Sequence, residues 1–184
     1  MTRLLSLISA FSLAMVLALP ASLGTASAQQ ADAENTLYLD LKDGRVVIRL
    51  RPDLAPAHVE RIKTLTRQGF YDGIVFHRVI DGFMAQTGDP TGTGMGGSEL
   101  PDLKAEFSDA SFARGTLGMA RSQSPNSANS QFFIMFADGD WLNGQYTVFG
   151  EVVEGMEFVD AIKRGEPVQD PDKIVRLQVA ADAK

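Results

Sequence analysis

The stretch Phe76 to Asp89, FHRVIDGFMAQTGD, decides how the rest of the chain reads. Val, Ile and Phe crowd two brief segments, Ile74 to Ile80 and Phe83 to Gly88, bounded by Asp and Gly, and this predicts two short strands. About forty residues on, Ser130 to Ile134 (SQFFI) reads the same way. Arg78, Phe83, Met84 and Gln86 are placed to line one groove, and Phe133 to close it. Taken singly, Phe83, Met84 and Phe133 read as core, because aromatics and Met usually are. Arg78 and Gln86 change that weighing. A polar side chain in an otherwise apolar strand either belongs to a buried pair or faces a ligand. Such a groove grips an apolar ring and points a cation and an amide at the backbone beside it; it supplies neither a nucleophile nor a metal-ligand set.

Outward from this stretch, Thr36 to Leu41 alternates with Leu37, Leu39 and Leu41 on one face, Lys42-Asp43-Gly44 signals a turn, and Arg45 to Leu50 alternates again. Asp53 is placed to cap a helix with Pro56 in its first turn; Val59, Ile62 and Leu65 recur at helical spacing, and Gly69 ends it. Gly115 to Ala120, Gln131 to Phe136 and Thr147 to Val152 predict further short strands, Met156 to Lys163 a second helix, and Lys173 to Val179 a last strand. This order is not the alternation of a parallel α/β sheet. It implies a mainly β fold, a closed antiparallel eight-stranded β-barrel capped by two α-helices, which would leave no sheet edge exposed.

Residues 1–28 read as a secretory signal peptide. Arg3 precedes the apolar run Leu4 to Leu19, Pro20 breaks it, and Ala26-Ser27-Ala28 fits a cleavage site. The run is shorter than the roughly 20 residues a membrane-spanning helix needs. Residues 29–35 form a polar lead expected to be disordered, residues 36–180 one domain, and residues 181–184 a tail. The chain carries 17 basic and 23 acidic residues, a net charge of −6; losing Arg3 with the leader makes it one more negative. So acidic a domain is poorly suited to nucleic-acid phosphates. There is no Cys, which excludes disulfides, thiol chemistry and lipid attachment at a cleavage-site Cys. These features predict a soluble exported monomer, free of the membrane after cleavage, in a bacterial periplasm.

Two motifs invite other readings. Gly92, Gly94 and Gly97 satisfy G-x-G-x-x-G, but the chain continues Ser98-Glu99-Leu100-Pro101, where no helix opens to receive a pyrophosphate. A flexible loop bordering the groove fits better. His77 adjoins Arg78 but points to the opposite face of an alternating strand, and a packed, hydrogen-bonded core histidine is the better reading than a triad or metal ligand. His58 falls on the first helix at a position expected to be exposed.

FHRVIDGFMAQTGD, GTGMGG, GTLGMAR, SQFFI, WLNGQYTVFG and VVEGM, in that order across residues 36–180, resemble the cyclophilins, the cyclosporin-binding peptidyl-prolyl cis-trans isomerases. The resemblance implies a protein that rotates X-Pro bonds in exported, unfolded or flexible segments and so assists folding, without a cofactor or a metal. It gives Arg78 and Gln86 the catalytic roles and makes Phe83, Met84, Phe133 and Leu142 the proline pocket. Substrate backbone contacts fall at Ala120, Arg121 and Ser122, with Gln131, Trp141 and Tyr146 at the rim. Its partners are proline-containing polypeptides and, through Trp141, cyclosporin. Tyr146 stands where the best-known eukaryotic members carry a histidine, the loop Arg121 to Ser130 is one residue longer, and the glycine loop is of the compact bacterial form. Two other functions compete: a module that holds proline-containing peptides with turnover incidental, which would tolerate loss of Arg78 and Gln86, and a hydrolase using His77, for which no matched Ser and acid are found.

Overall fold

The computed structural model describes residues 32–183; the expected signal peptide, residues 29–31 and Lys184 lie outside them. Eight strands form one sheet: β1 (Thr36–Leu41), β2 (Gly44–Leu50), β3 (Arg78–Ile80), β4 (Met84–Thr87), β5 (Thr116–Met119), β6 (Phe132–Met135), β7 (Val148–Glu154) and β8 (Arg176–Val179). The helices are α1 (Pro56–Arg67) and α2 (Met156–Asp160). Strand order is β3-β4-β6-β5-β7-β2-β1-β8, with neighbours antiparallel throughout.

The sheet curls but does not close, which corrects the expected closed barrel. Among the described residues no strand ladder joins β3 to β8. Single bridges from the connection between α2 and β8 span the gap instead, Gly165 to Val79 and Lys173 to Val75. The physical reason lies in that connection. Pro167 and Pro171 have no N–H to give a ladder, so pairing is confined to isolated positions. The same exchange shortens β3: Ile74 to Phe76, expected in the strand, bond the 172–174 segment, with Phe76 N–H donating to Asp172 O (2.9 Å) and Ile174 N–H to Ile74 O (2.9 Å).

The period-two alternation of the strands divides the apolar residues between two clusters. Leu37, Leu39, Val46, Ile48, Ala85, Leu117, Phe132, Ile134 and Phe149 point inward and form the main core, to which α1 adds Val59, Ile62 and Leu65. Met84, Phe133, Met135 and Val148, one residue out of phase, point to the outer face and pack with Phe112 and Leu142 as a second cluster. The candidate site lies over this second cluster.

Helix α1 starts differently from expectation. Asp53 pairs with Arg51 (Nη2 to Oδ2, 2.8 Å), and Ala55 at the N-cap offers no side-chain acceptor. Glu106 caps the helix from outside, accepting from Ala57 N–H (3.2 Å) and His58 N–H (3.1 Å), while its Oε2 lies 2.6 Å from His58 Nδ1. His58, expected at the surface, is fully buried. Burial holds its pKa below the ordinary 6.5 against the opposing pull of Glu106. A missing local cap costs only about 1 kcal/mol, whereas each buried aliphatic side chain contributes about 1.5–3 kcal/mol, so the packed face of α1 decides that the helix forms.

At the ends, Asp32–Glu34 make a helical turn where disorder was expected. Arg67 Nη2 binds Glu34 Oε1 (2.8 Å) and its Nε binds Asp182 Oδ2 (2.9 Å), so one side chain ties both ends to α1. Helix α2 stops at Asp160 rather than Lys163, because Lys163 N–H is taken by Asp172 Oδ2 (2.9 Å).

Candidate active site

Strand register assembles the site. Arg78 on β3 lies opposite Gln86 on β4, Gln86 opposite Phe133 on β6, and Phe133 opposite Gly118 on β5. One row across four strands therefore carries the cation, the amide and the aromatic floor, all on the outer face. A Cβ at position 118 would collide with the rings of Phe133 and Phe112, so glycine there is what lets Phe133 lie flat across β5, stacked on Phe112 at 5.7 Å between centroids.

Above it is a hollow of about 430 Å³ lined by Arg78, Phe83, Met84, Gln86, Ala120, Arg121, Phe133, Trp141, Leu142, Gln145 and Tyr146. Met84 and Phe133 are almost wholly buried and make its floor. Phe83 and Trp141 form one wall (5.7 Å between centroids), and Tyr146 stands edge-on to Phe133 at 6.0 Å. The Arg121 guanidinium lies 4.4 Å over the Tyr146 ring and donates from Nη2 to Gln145 O (2.9 Å), which fixes that rim. The short 3₁₀ turn Asp140–Leu142 buries Leu142 and leaves Trp141 61% exposed.

The structure thus brings together every residue singled out from the sequence except Ser122 and Gln131. Those two line an adjoining hollow of about 410 Å³ that shares Gln86, Ala120 and Arg121 and is bordered by Gly94 to Ser98. Ser122 N–H and hydroxyl both donate to Ser127 Oγ (2.9 and 2.7 Å), and Ala120 N–H donates to Gln131 O (2.9 Å), so these N–H groups are engaged within the protein.

A polar chain crosses the site. Arg78 Nε donates to Glu166 Oε1, and Arg78 Nη1 lies 3.4 Å from Gln86 Oε1, at the long limit of a hydrogen bond. Gln86 Nε2 donates to Gln131 Oε1 (2.8 Å), and Gln131 Nε2 donates to the carbonyls of Gly94 (3.0 Å) and Gly96 (2.8 Å). Gln86 is therefore held by the glycine loop rather than by Arg78.

That loop is anchored, which corrects the expected flexible border. Asp89, 1% exposed, accepts from Thr91 N–H (2.7 Å), Thr93 N–H (3.0 Å) and Gly94 N–H (2.6 Å). Burial alone would raise its pKa; the hydrogen bonds from Thr91 and the glycine N–H groups outweigh it and hold the pKa at about 2. His77 is packed beside the loop as expected, but among the described residues neither of its ring nitrogens has a partner, so it is not the hydrogen-bonded histidine anticipated. Desolvation lowers its pKa below the ordinary 6.5.

Phe112, Gly118, Gln145 and Glu166 were missed in the sequence reading. Gln145 adjoins Tyr146 and was open to the same argument; the other three take their positions only from register and packing.

A family model for the cyclophilin type peptidyl-prolyl cis-trans isomerase matches residues 36–179. A probable peptidyl-prolyl cis-trans isomerase of Brucella suis is 58% identical over 174 residues, covering 86% of this chain and 89% of that protein. A peptidyl-prolyl cis-trans isomerase-like 1 of Aspergillus oryzae is 37% identical, covering 79% of this chain and 95% of that protein. Among solved structures, a cyclophilin from Hirschia baltica superposes with a TM-score of 0.77 at 26% identity, covering 90% of this chain and 83% of that one. A cyclophilin type isomerase from Cryptosporidium parvum, solved in the presence of the dipeptide Ala-Pro, gives 0.73 at 29% identity, covering 78% and 98%. The chain belongs to the cyclophilin-type peptidyl-prolyl cis-trans isomerases, and its fold and enzymatic class follow from that membership.

Asp89 supplies a test of how the glycine loop is held. Its folded pKa lies below the unfolded value of 3.8, so its contribution is complete above 3.8 and is lost as pH falls through about 2. Asp89→Asn is expected to lower stability in urea denaturation by about 1–3 kcal/mol at neutral pH, the cost of disrupting a buried acceptor, and the difference from wild type should shrink toward pH 2. A pH-independent difference would mean that Asp89 does not act through its charge.

Proposed function

We propose that Arg78 and Gln86 carry the isomerisation of X-Pro bonds, with the proline ring seated on Met84 and Phe133 between Phe83, Leu142 and Tyr146. The observation that carries this reading is the register row itself: one guanidinium and one amide stand side by side at the lip of an apolar hollow of about 430 Å³. No bond is made or broken in the reaction. The barrier, about 18–20 kcal/mol, is amide resonance. As the bond twists, the proline nitrogen recovers a lone pair that a guanidinium N–H can meet, an interaction available in the transition state and not in the planar ground state.

An acceleration of ~10⁵-fold corresponds to about 7 kcal/mol. That is more than one hydrogen bond supplies in water. In a pocket with an apolar floor, and with the peptide backbone held by Gln86 and the strand end at Ala120 to Ser122, it is within reach of preorganised donors.

The substrates we propose are unfolded or flexible proline-containing segments of exported proteins, whose folding the enzyme assists as a monomer in the periplasm. The support is the leader-like sequence of residues 1–28, and a secreted form purified with its first residue at Gln29 is the expected product; a retained leader contradicts export. Cyclosporin binding is proposed from Trp141, which stands exposed at the wall of the hollow. A fluorescence titration should quench this lone tryptophan saturably, and a flat titration would exclude the drug.

The decisive experiment for the catalytic assignment is Arg78→Ala assayed on a cis-enriched peptide. Loss of at least about 10²-fold in kcat/KM is expected, the scale of removing one preorganised donor, with the fold intact by circular dichroism. Arg78→Lys should also be poor, because the planar fork is lost. Near-native turnover by Arg78→Ala would overturn the assignment.

A further inference from the structure

The structure assigns to Glu166 the role of a positioning residue, one that holds the Arg78 guanidinium in its working orientation from the side away from the substrate. The inference rests on the catalytic reading of Arg78 given above.

The observation is one of backbone register. Val79 and Gly165 form an antiparallel bridge in which each N–H donates to the other's carbonyl, both at 2.8 Å. In an antiparallel pair the next residues outward, Arg78 and Glu166, must then face each other with their side chains on the same side and close together. Beyond Glu166 the alignment breaks: Pro167, which would pair with His77, has no N–H, and Val168 N–H donates to His77 O (3.3 Å) one residue out of register. Glu166 is thus a fifth member of the row, ahead of Arg78, Gln86, Phe133 and Gly118. It sits there because the backbone puts it there, not because a mobile side chain happens to reach.

The contacts divide the guanidinium. Its Nε–H is taken by Glu166, while Nη1 faces Gln86 at 3.4 Å. Gln86 Oε1 is a neutral acceptor at the long limit of a hydrogen bond, so the amide is a weak hold on the cation and the carboxylate is the strong one. Glu166 is not among the residues lining the hollow, whereas Arg78 is. The carboxylate therefore holds the fork at its Nε edge and leaves Nη1 on the side of Gln86, at the hollow that Arg78 lines. A charge-assisted bond at one edge of a planar group restrains its rotation, which is what a donor aimed at a transient lone pair requires. Both side chains are well exposed, at 37% and 57%, so water screens the pair and its contribution to stability is small. Its effect is expected in turnover.

The test compares wild type, Glu166→Ala, Glu166→Gln and Arg78→Ala on one cis-enriched peptide, with kcat and KM measured separately. Glu166→Ala should lose about tenfold in kcat with KM within about twofold, less than the ~10²-fold that a misplacement of about 1 Å can cost. Glu166→Gln keeps an oxygen that accepts from Nε and should recover most of the loss, and the thermal midpoints of both should match wild type. In ¹⁵N spectra the Arg78 Nε–H should be protected from exchange in wild type and Glu166→Gln and unprotected in Glu166→Ala. If Arg78→Ala is crippled while Glu166→Ala turns over as fast as wild type or faster, the positioning role is wrong and the carboxylate is a bystander or a restraint on the cation. If Arg78→Ala itself retains full turnover, the failure lies with the catalytic reading, which the same assay separates from the failure of this one.

Discussion

The side-chain period of two in β3, β4, β6 and β5 is the constraint on which the site depends. Along each of these strands one residue enters the main core and the next faces outward, so Val79, Ala85, Ile134 and Leu117 fix the sheet from within while Arg78, Gln86, Phe133 and Gly118 stand on the other side. A slip of one residue in β3 or β4 would bury the guanidinium or the amide and expose Val79 or Ala85. The core thus fixes which face and which register position each residue of the row occupies.

What the core does not fix, a second set of polar ties does. The glycine loop is gathered by the Asp89 carboxylate, and through Gln131 that loop holds Gln86. On the opposite side, the connection that bridges the open edge of the sheet delivers Glu166 to Arg78. Arg78 and Gln86 are therefore held from opposite directions by segments that are not themselves strands. An open edge, which in most sheets would be a liability, here admits a segment that a closed ladder would have excluded.

Much of this was legible in the sequence. The first two strands and α1 were marked by the period of their apolar residues, the later strands by short Val-, Ile- and Phe-rich runs between turn residues. Arg78 and Gln86 were marked by breaking an apolar pattern, whereas Ala120 to Ser122, Gln131, Trp141, Leu142 and Tyr146 came only from the family resemblance. The rest depended on contacts distant in sequence. Closure was expected from the order of the elements, and that order does not reveal that Pro167 and Pro171 deny the last pairing its N–H groups. Glu106 caps α1 from 48 residues away, so Asp53, the local candidate, was preferred. His58 was placed on the outside for want of any sign that the Glu106 segment covers it. Glu166 lies 88 residues from the side chain it holds, and nothing in its own neighbourhood marks it.

The central claim is that the substrate proline meets the outer row and no other surface. Titrating ¹⁵N-labelled protein, residues 29–184, with a short Ala-Pro peptide tests it most directly. Resonances of Gln86, Ala120, Phe133, the Trp141 indole and the Arg78 side chain should shift together with one saturation curve. Shifts centred instead on the hollow of about 590 Å³ beside Tyr38, Arg49 and Val153, with the row unmoved, would contradict the account.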